Sequence, residues 1–339
     1  MSTPPSPAAF RIFDWRILPL LAVTAIVMAV LVHRIAGADA FLDTLLNADG
    51  WLVASTLPIA GLNLLLSAAR WRVVVEAMGY RLGFVRTVGV VLATWPLAVI
   101  TPSRASDVVR AVLVRDVVPP WAGAGSVMAE KLADIQSLCL LAIAGASYFQ
   151  LWSLVAGFVG LLLAEWAGIV VLVRFAPEVK KVRPLRKHAA RIDNLLLAFE
   201  ALRRSKSHLA RLIGLSLVAM GDTILIAYAL LRAMGVDVRL DQVAALWPVA
   251  SFVGMLPLTV SGLGTRDATF HYLLQLTSET PHPEAPVLAA TFLYVLIASW
   301  VLAIVGVPFM VRAAMTLRRS TVSAPPPDDP SSSPANGAD

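Results

Sequence analysis

The sequence predicts an all-α, polytopic integral membrane helix bundle. It should have about six spanning helices and two oppositely oriented re-entrant helical hairpins, an inverted repeat. Three observations lead there. First, 58% of the residues are hydrophobic and only 15% charged, whereas soluble domains carry about 25% charged residues. Second, the apolar runs at 18–32, 52–69, 138–173, 212–231 and 287–311 approach the roughly 20 residues that one membrane crossing needs. The run at 138–173 is long enough for parts of two crossings. Third, the segments between the runs segregate by charge.

That segregation sets the orientation. Residues 37–50 carry Asp39, Asp43 and Asp49 and no basic residue, and 278–286 carry Glu279 and Glu284 with none. Residues 70–86 carry Arg70, Arg72, Arg81 and Arg86, and 174–211 carry eleven Lys or Arg against three acids. Arg312, Arg318 and Arg319 follow the last run. By the positive-inside rule the basic segments and both termini are cytoplasmic, and 37–50 and 278–286 face outward. The net charge of +6 is accounted for in this way, and no nucleic-acid partner is expected.

In chain order, residues 1–15 are a disordered tail. Helix one, about 16–36, crosses outward. Arg11 and Arg16 before it and Ala36, Ala38 and Ala40 after it resemble a signal peptide, but the run is long and a membrane bundle follows, so a retained helix is expected. Helix two, 51–70, returns; 121–147 goes out and 150–173 comes back. The basic segment 174–209 contains an amphipathic stretch, with Ile192, Leu195, Leu196, Phe199 and Leu202 on one face, suited to the inner leaflet or to a solvated connector. Helices 210–232 and 286–311 complete six crossings. The transmembrane domain ends at 312, and 313–339 form a low-complexity tail.

Two apolar segments, 84–117 and 242–277, must each start and finish on one side for the charge pattern to hold. Each is interrupted at its middle, by TPSRASD at 101–107 and by PLTVSGLGTRD at 257–267. Pro removes a backbone donor and Gly weakens a helix. Irregular backbone at membrane depth survives only where protein or water satisfies it. Both segments therefore read as hairpins with their tips inside the protein, the first rising from the cytoplasm and the second descending from outside.

Charge within a membrane is costly and usually faces a cavity or a partner. Arg104, Asp107 and Arg110 are spaced to share one helical face. A helix starting near Ser103 would aim free N–H groups at the tip, which suits a phosphate; Asp107 is equally suited to neutralising Arg104 or Arg110 alone. Ser261, Gly262 and Gly264 permit close backbone approach, and Arg266 is placed to hold a phosphate. Asp267 and His271 lie one turn apart, as a proton relay would require, although a packing role suits His271 as well. Glu130 and Asp134, also one turn apart, suit ion pairs with Arg104 or Arg110. Glu165 and Asp222 have no partner that the sequence can name. Trp71, Trp95, Trp121, Trp152 and Trp247 lie near run ends, as interfacial anchors do. Cys139 reads as a small buried hydrophobe. The five histidines form no cluster with metal-ligand spacing, so neither metal nor cofactor is expected.

Arg70-Trp71, TPSRASDVVRAVLVRD at 101–116, the Glu130/Asp134 pair and LPLTVSGLGTRDATF at 256–270 together resemble the lysylphosphatidylglycerol synthetase transmembrane-region family, a flippase-like domain. The resemblance spans roughly 15–312. Ser103 and Ser106 stand where the family's first motif often has Gly, and Asp267 where its second often has Glu. The resemblance implies a stand-alone membrane domain that moves a lipid with a polar headgroup across the inner membrane. No synthase activity is expected, because a low-complexity tail stands where bifunctional members carry the synthase. The expected function is translocation of a phosphate-bearing phospholipid, glycolipid or polyprenyl-linked lipid, without enzymatic chemistry. The expected substrate-binding set is Arg104, Asp107, Arg110, Glu130, Asp134, Ser261, Gly262, Gly264, Arg266 and Asp267. A membrane-embedded transferase acting on a lipid phosphate, and a non-transporting assembly subunit, are the alternatives. Homo-oligomerisation and a partner enzyme of lipid biosynthesis are left open.

Overall fold

The computed structural model describes residues 37–101, 107–181, 188–279 and 281–322, with residues 22, 26, 29 and 30. Most of the expected first crossing, both terminal tails and Ser103, Arg104 and Ser106 lie outside the described residues. All regular structure among the described residues is helical. The helices are α1 (Ala38–Leu46), α2 (Gly50–Ala77), α3 (Phe84–Ile100), α4 (Val109–Leu113), α5 (Pro120–Tyr148), α6 (Trp152–Lys181), α7 (Ala189–Arg204), α8 (Lys206–Ala233), α9 (Leu240–Met255), α10 (Thr265–Thr277), α11 (Glu284–Val295) and α12 (Leu302–Val322). A π turn over Leu296–Val301 joins α11 to α12.

Among the described residues, four stretches are long and apolar enough to cross a membrane: Gly50–Ala77, Trp152–Phe175, Lys206–Ala233 and Glu284–Leu317. Helix α5 is equally long but carries Glu130, Lys131 and Asp134 within it. Its charges are inside the bundle, as described below, so it completes the set of spans in the described residues. The chain is a polytopic helical membrane protein. Successive spans run in opposite directions between a basic end, marked by Arg72 and Arg86, and an acidic end, marked by Asp43 and Asp49. Asp49 caps α2, its Oδ1 accepting from the Trp51 and Leu52 amides at 2.9 and 3.2 Å. The Asp49 amide donates to Ala233 at the end of α8 at 2.9 Å, so α2 and α8 are antiparallel.

Both interrupted segments are hairpins. In the first, α3 rises from the basic end for 17 residues, about 25 Å at 1.5 Å per residue. The chain then returns beside it. Arg110 Nε approaches Thr94 Oγ1 at 3.4 Å, and Arg86 bonds Asp116 at 2.6 and 2.8 Å, closing the hairpin at its base. The returning limb holds only the short helix α4. In the second hairpin α9 descends from the acidic end and α10 returns along it. Trp247 meets Phe270 edge-on with ring centroids 5.2 Å apart. Near the tip, a Cβ added at Gly254 would lie 2.9 Å from that of Arg266.

The halves interlock. Helix α2, the first hairpin and α5 form one unit; α8, the second hairpin and the α11–α12 span form the other, running the opposite way. Helices α2 and α8 pack together, while each hairpin packs on the closing span of the other unit: α3 on α12 and α9 on α5. Bare backbone makes these contacts close. A Cβ at Gly306 would lie 2.4 Å from the Leu92 carbonyl oxygen, and one at Gly145 would lie 2.2 Å from that of Ala245. Without a hydrophobic drive between helices in lipid, such close packing is a main source of association.

Two expectations are corrected here. The amphipathic face of 186–204 does not lie on the membrane: Leu196, Phe199 and Leu202 of α7 are buried with Val74, Ala129 and Leu212, and α7 passes over Gly125 of α5. Of the five tryptophans read as interfacial anchors, Trp71, Trp95 and Trp247 are fully buried, and only Trp121 and Trp152 are exposed. The last helix extends to Val322.

Replacing Gly145 by Ala should push α5 and α9 apart and destabilise the protein by about 1–3 kcal/mol, the usual cost of overpacking. Gly157 on α6 has open space around it, so the same change there should be neutral or slightly stabilising. Thermal unfolding in detergent, followed by tryptophan fluorescence, checks the pair.

Candidate functional site

Apart from Glu165 and Asp222, the charged residues inside the bundle fall, among the described residues, into two groups, one on each side of a central cavity. The larger joins α2, the first hairpin and α5. Arg110, 1% exposed, donates to Glu130 Oε2 at 2.9 Å and to Asp107 Oδ1 at 3.1 Å. Lys131 reaches Asp107 Oδ2 at 2.8 Å. Arg70 pairs with Asp134 and lies 3.9 Å from Glu130. Ser216 of α8 donates to Asp134 at 3.3 Å. Three cations (Arg70, Arg110, Lys131) therefore meet three carboxylates (Asp107, Glu130, Asp134), and the cluster is neutral. Each such charge alone would cost about 2.5–3.5 kcal/mol at a helix centre on insertion scales, so neutrality is a condition of folding. The Arg110 guanidinium also lies 5.7 Å from the Trp71 ring centroid, and Trp71 Nε1 donates to Ser126 at 2.9 Å. Trp71 is thus a cation–π platform rather than an interfacial anchor.

The smaller group is built by the second hairpin. Ser261, Gly262 and Gly264 all have positive φ, at 54°, 73° and 86°. A side chain at Gly262 would meet the Gly254 backbone at 2.9 Å. This tight loop places Asp267 so that its Oδ2 accepts from the Gly264 amide at 2.9 Å and its Oδ1 from Arg266 at 3.0 Å. Arg266 also donates to the Thr291 carbonyl at 3.2 Å and lies over Trp247 and Tyr294, at 5.2 and 4.6 Å. Its Nε has no hydrogen-bond partner among the described residues.

The tips touch: Ser261 Oγ donates to the Val99 carbonyl at 3.1 Å. Beside that contact is a cavity of about 250 Å³. Val99 and Thr101 of the first hairpin and Gly254, Thr259 and Ser261 of the second line it, with Asn63, Ser216 and Thr223 on α2 and α8 and Ser299 in the π turn. Among the described residues, Arg70, Lys131 and Arg266 face it against one carboxylate, Asp134, so the described wall carries more cations than anions.

The expected site residues are accordingly divided. Asp134, Ser261 and Arg266 line the cavity. Asp107, Arg110 and Glu130 form the ion cluster behind it, and Asp267, Gly262 and Gly264 hold Arg266 and the tip in place. Arg104 lies outside the described residues. The Asp267–His271 relay is not built: both Asp267 oxygens are engaged as above, and the His271 ring pairs with Gln275, which also donates to the His282 carbonyl at 2.6 Å. Arg70 and Lys131 are cavity cations that the sequence reading passed over. Arg70 was assigned to a cytoplasmic flank, and Lys131 sits between the two acids that drew attention. For Lys131 the signal is present, since it lies beside Glu130 and one turn from Asp134; Arg70 has no carboxylate within a turn of it in the sequence. Outside the spans, the hydrogen bond from Arg86 holds the Asp116 carboxyl below the usual carboxylate range. That small contribution is present above the ordinary carboxylate pKa and is lost as pH falls through the lowered one.

Two opposed broken hairpins meeting at a polar cavity inside a helical bundle define a polytopic membrane protein with a central polar site. The chain belongs to the family described as the lysylphosphatidylglycerol synthase TM region, whose pattern matches residues 17–306. A comparison with curated proteins finds no match.

Arg110→Ala should destabilise the protein by about 3–5 kcal/mol, because it leaves buried carboxylates without their cation. Adding Glu130→Gln should recover part of that loss. Unfolding midpoints of the single and double variants in detergent check the coupling.

Proposed function

We propose that this protein is a lipid translocator, and not an enzyme, which takes a phosphate-bearing headgroup into the cavity between the hairpin tips while the acyl chains stay in the bilayer. The observation that carries the reading is the cavity wall itself, with Arg70, Lys131 and Arg266 against Asp134, between two hairpins that enter from opposite ends. Guanidinium and ammonium groups bind phosphate oxygens through strong charge-assisted hydrogen bonds. A volume of about 250 Å³ suits a headgroup rather than a whole lipid. Met255, Leu256 and Leu258 at the second tip are exposed and apolar, a surface along which acyl chains can pass beside the cavity. The inverted pairing of the two units supports alternating access, since broken helices of opposite direction flank the midplane site in transporters of that kind. Membership of a lipid-related family supports a lipid as the cargo.

The positive-inside rule supports a basic end that faces the cytoplasm, both termini included, with the protein in the inner membrane. Phospholipids, glycolipids and polyprenyl-linked lipids share the phosphate that this wall would recognise. Exchange of partners within the Arg70–Asp134 and Lys131–Asp107 pairs would let the cations turn to the headgroup without leaving a buried carboxylate bare.

Lys131→Met should slow translocation of a fluorescent short-chain phosphatidylglycerol in proteoliposomes by roughly 10- to 100-fold, the loss of one charge-assisted contact. A zwitterionic probe should be slow in both proteins. Wild-type rates in Lys131→Met and Arg266→Gln, each inserted normally, would remove the basis of the reading.

A further inference from the structure

Asp222 lies near the middle of α8, where α8 meets α2, and nothing described so far uses it. It is buried, 4% exposed. Its recorded partner is neutral: Asn63 Nδ2 donates to its Oδ2 at 3.0 Å. Its Oδ1 has no hydrogen-bond partner among the described residues. The carboxylates of the two charged groups, Asp107, Glu130, Asp134 and Asp267, each bond a cation, so Asp222 stands apart from them.

The charges on the elements packed around it are not placed to neutralise it. On α2, Arg70 lies two turns from Asn63 and is taken up by Asp134. On α5, Asp134 reaches α8 at Ser216, almost two turns from Asp222, and Lys131 is paired with Asp107. On α9 and α11, Asp241 and Glu284 are in the first turns, at the acidic end. Helix α7 meets α8 around Leu212, near the basic end. On α8 itself, His208, Arg211 and Arg232 lie toward its two ends.

Asn63 connects this carboxyl to the site, for it lines the cavity together with Ala219, Met220 and Thr223, the neighbours of Asp222 on α8. We propose that Asp222 is a proton-binding site, and that Asn63 relays its protonation to the anionic headgroup in the cavity. This rests on the reading of the cavity as a headgroup site. An ionised carboxylate only accepts hydrogen bonds, so Asn63 must turn its NH₂ toward it. The amide NH₂ is then occupied and a negative charge stands behind the wall. A protonated Asp222 can instead donate its O–H to the Asn63 oxygen. The amide turns over, its NH₂ becomes available to a phosphate oxygen, and the negative charge is gone. One proton therefore binds with one anionic headgroup. By linkage each favours the other.

The test uses the full chain in nanodiscs with short-chain phosphatidylglycerol as the probe. Above the pH at which Asp222 ionises, affinity should fall by up to about tenfold per pH unit, and binding should draw a proton from weakly buffered solution. Asp222→Asn, which mimics the protonated partner, should bind with the low-pH affinity throughout and take up no proton. Asn63→Leu should flatten the pH dependence while the carboxylic-acid infrared band of Asp222 persists. Wild-type pH dependence in Asp222→Asn overturns the proposal, as does affinity that follows sodium at fixed pH. If the probe does not bind, the translocator reading fails separately. The pH-difference infrared spectrum of the lipid-free protein still decides the proton site, which is refuted if no carboxylic-acid band is lost in Asp222→Asn.

Discussion

The structure depends on keeping charge neutral inside a medium that solvates it poorly. Arg110, Glu130 and Asp107 are each about 1% exposed or less, and none would be tolerated alone at that depth. Their mutual pairing lets α5 cross the membrane with three charged residues in its first half, and it ties α5 to the first hairpin and α2. Because Arg70 and Lys131 belong to the same cluster yet reach the cavity, the interactions that stabilise the bundle also set the chemistry of its interior. An anion entering the cavity would meet cations whose existing partners are carboxylates, so on the proposed reading its binding would rearrange those ion pairs.

Around this cluster the two halves are built as opposed copies that hold each other. Each hairpin is too short to be stable by itself in lipid. Each is supported by the closing span of the other half, through contacts that only Gly allows at Gly145 and Gly306. The tips then satisfy one another through Ser261 and the Val99 carbonyl. A movement of one unit against the other would break that hydrogen bond and shift both tips relative to the cavity, which is what alternating access requires. The π turn beside Ser299 loosens the last span at the same level, and such turns often mark functional positions.

Much of the architecture was legible because membranes make sequence constraints strict. Apolar length gave the spans, and Arg and Lys placement gave their alternation. Pro, Gly and charge at mid-depth identified the hairpins, since no lipid-facing helix could carry them. Pairings between distant segments were not legible. Nothing local says that Arg70, at the end of one helix, meets Asp134 on another, or that Asn63 meets Asp222. Trp71 and Trp247 were misplaced for the same reason: a tryptophan near the end of an apolar run has the same sequence signature whether it faces headgroups or sits under an arginine. The face of α7 was read correctly as apolar, but whether protein or lipid covers it depends on Gly125 of α5, far away in the chain.

The central claim is that the space between the tips is a wet, headgroup-receptive cavity within the membrane. The most direct measurement is thiol accessibility, with Cys139 replaced and a single cysteine placed at Ser261 or at Ser299. A membrane-impermeant reagent should label both positions through water, and an anionic lipid should protect both while a zwitterionic one does not. If both stay sealed while cysteines in the exposed loops label normally, the cavity is closed packing space and the charges around it serve the fold alone.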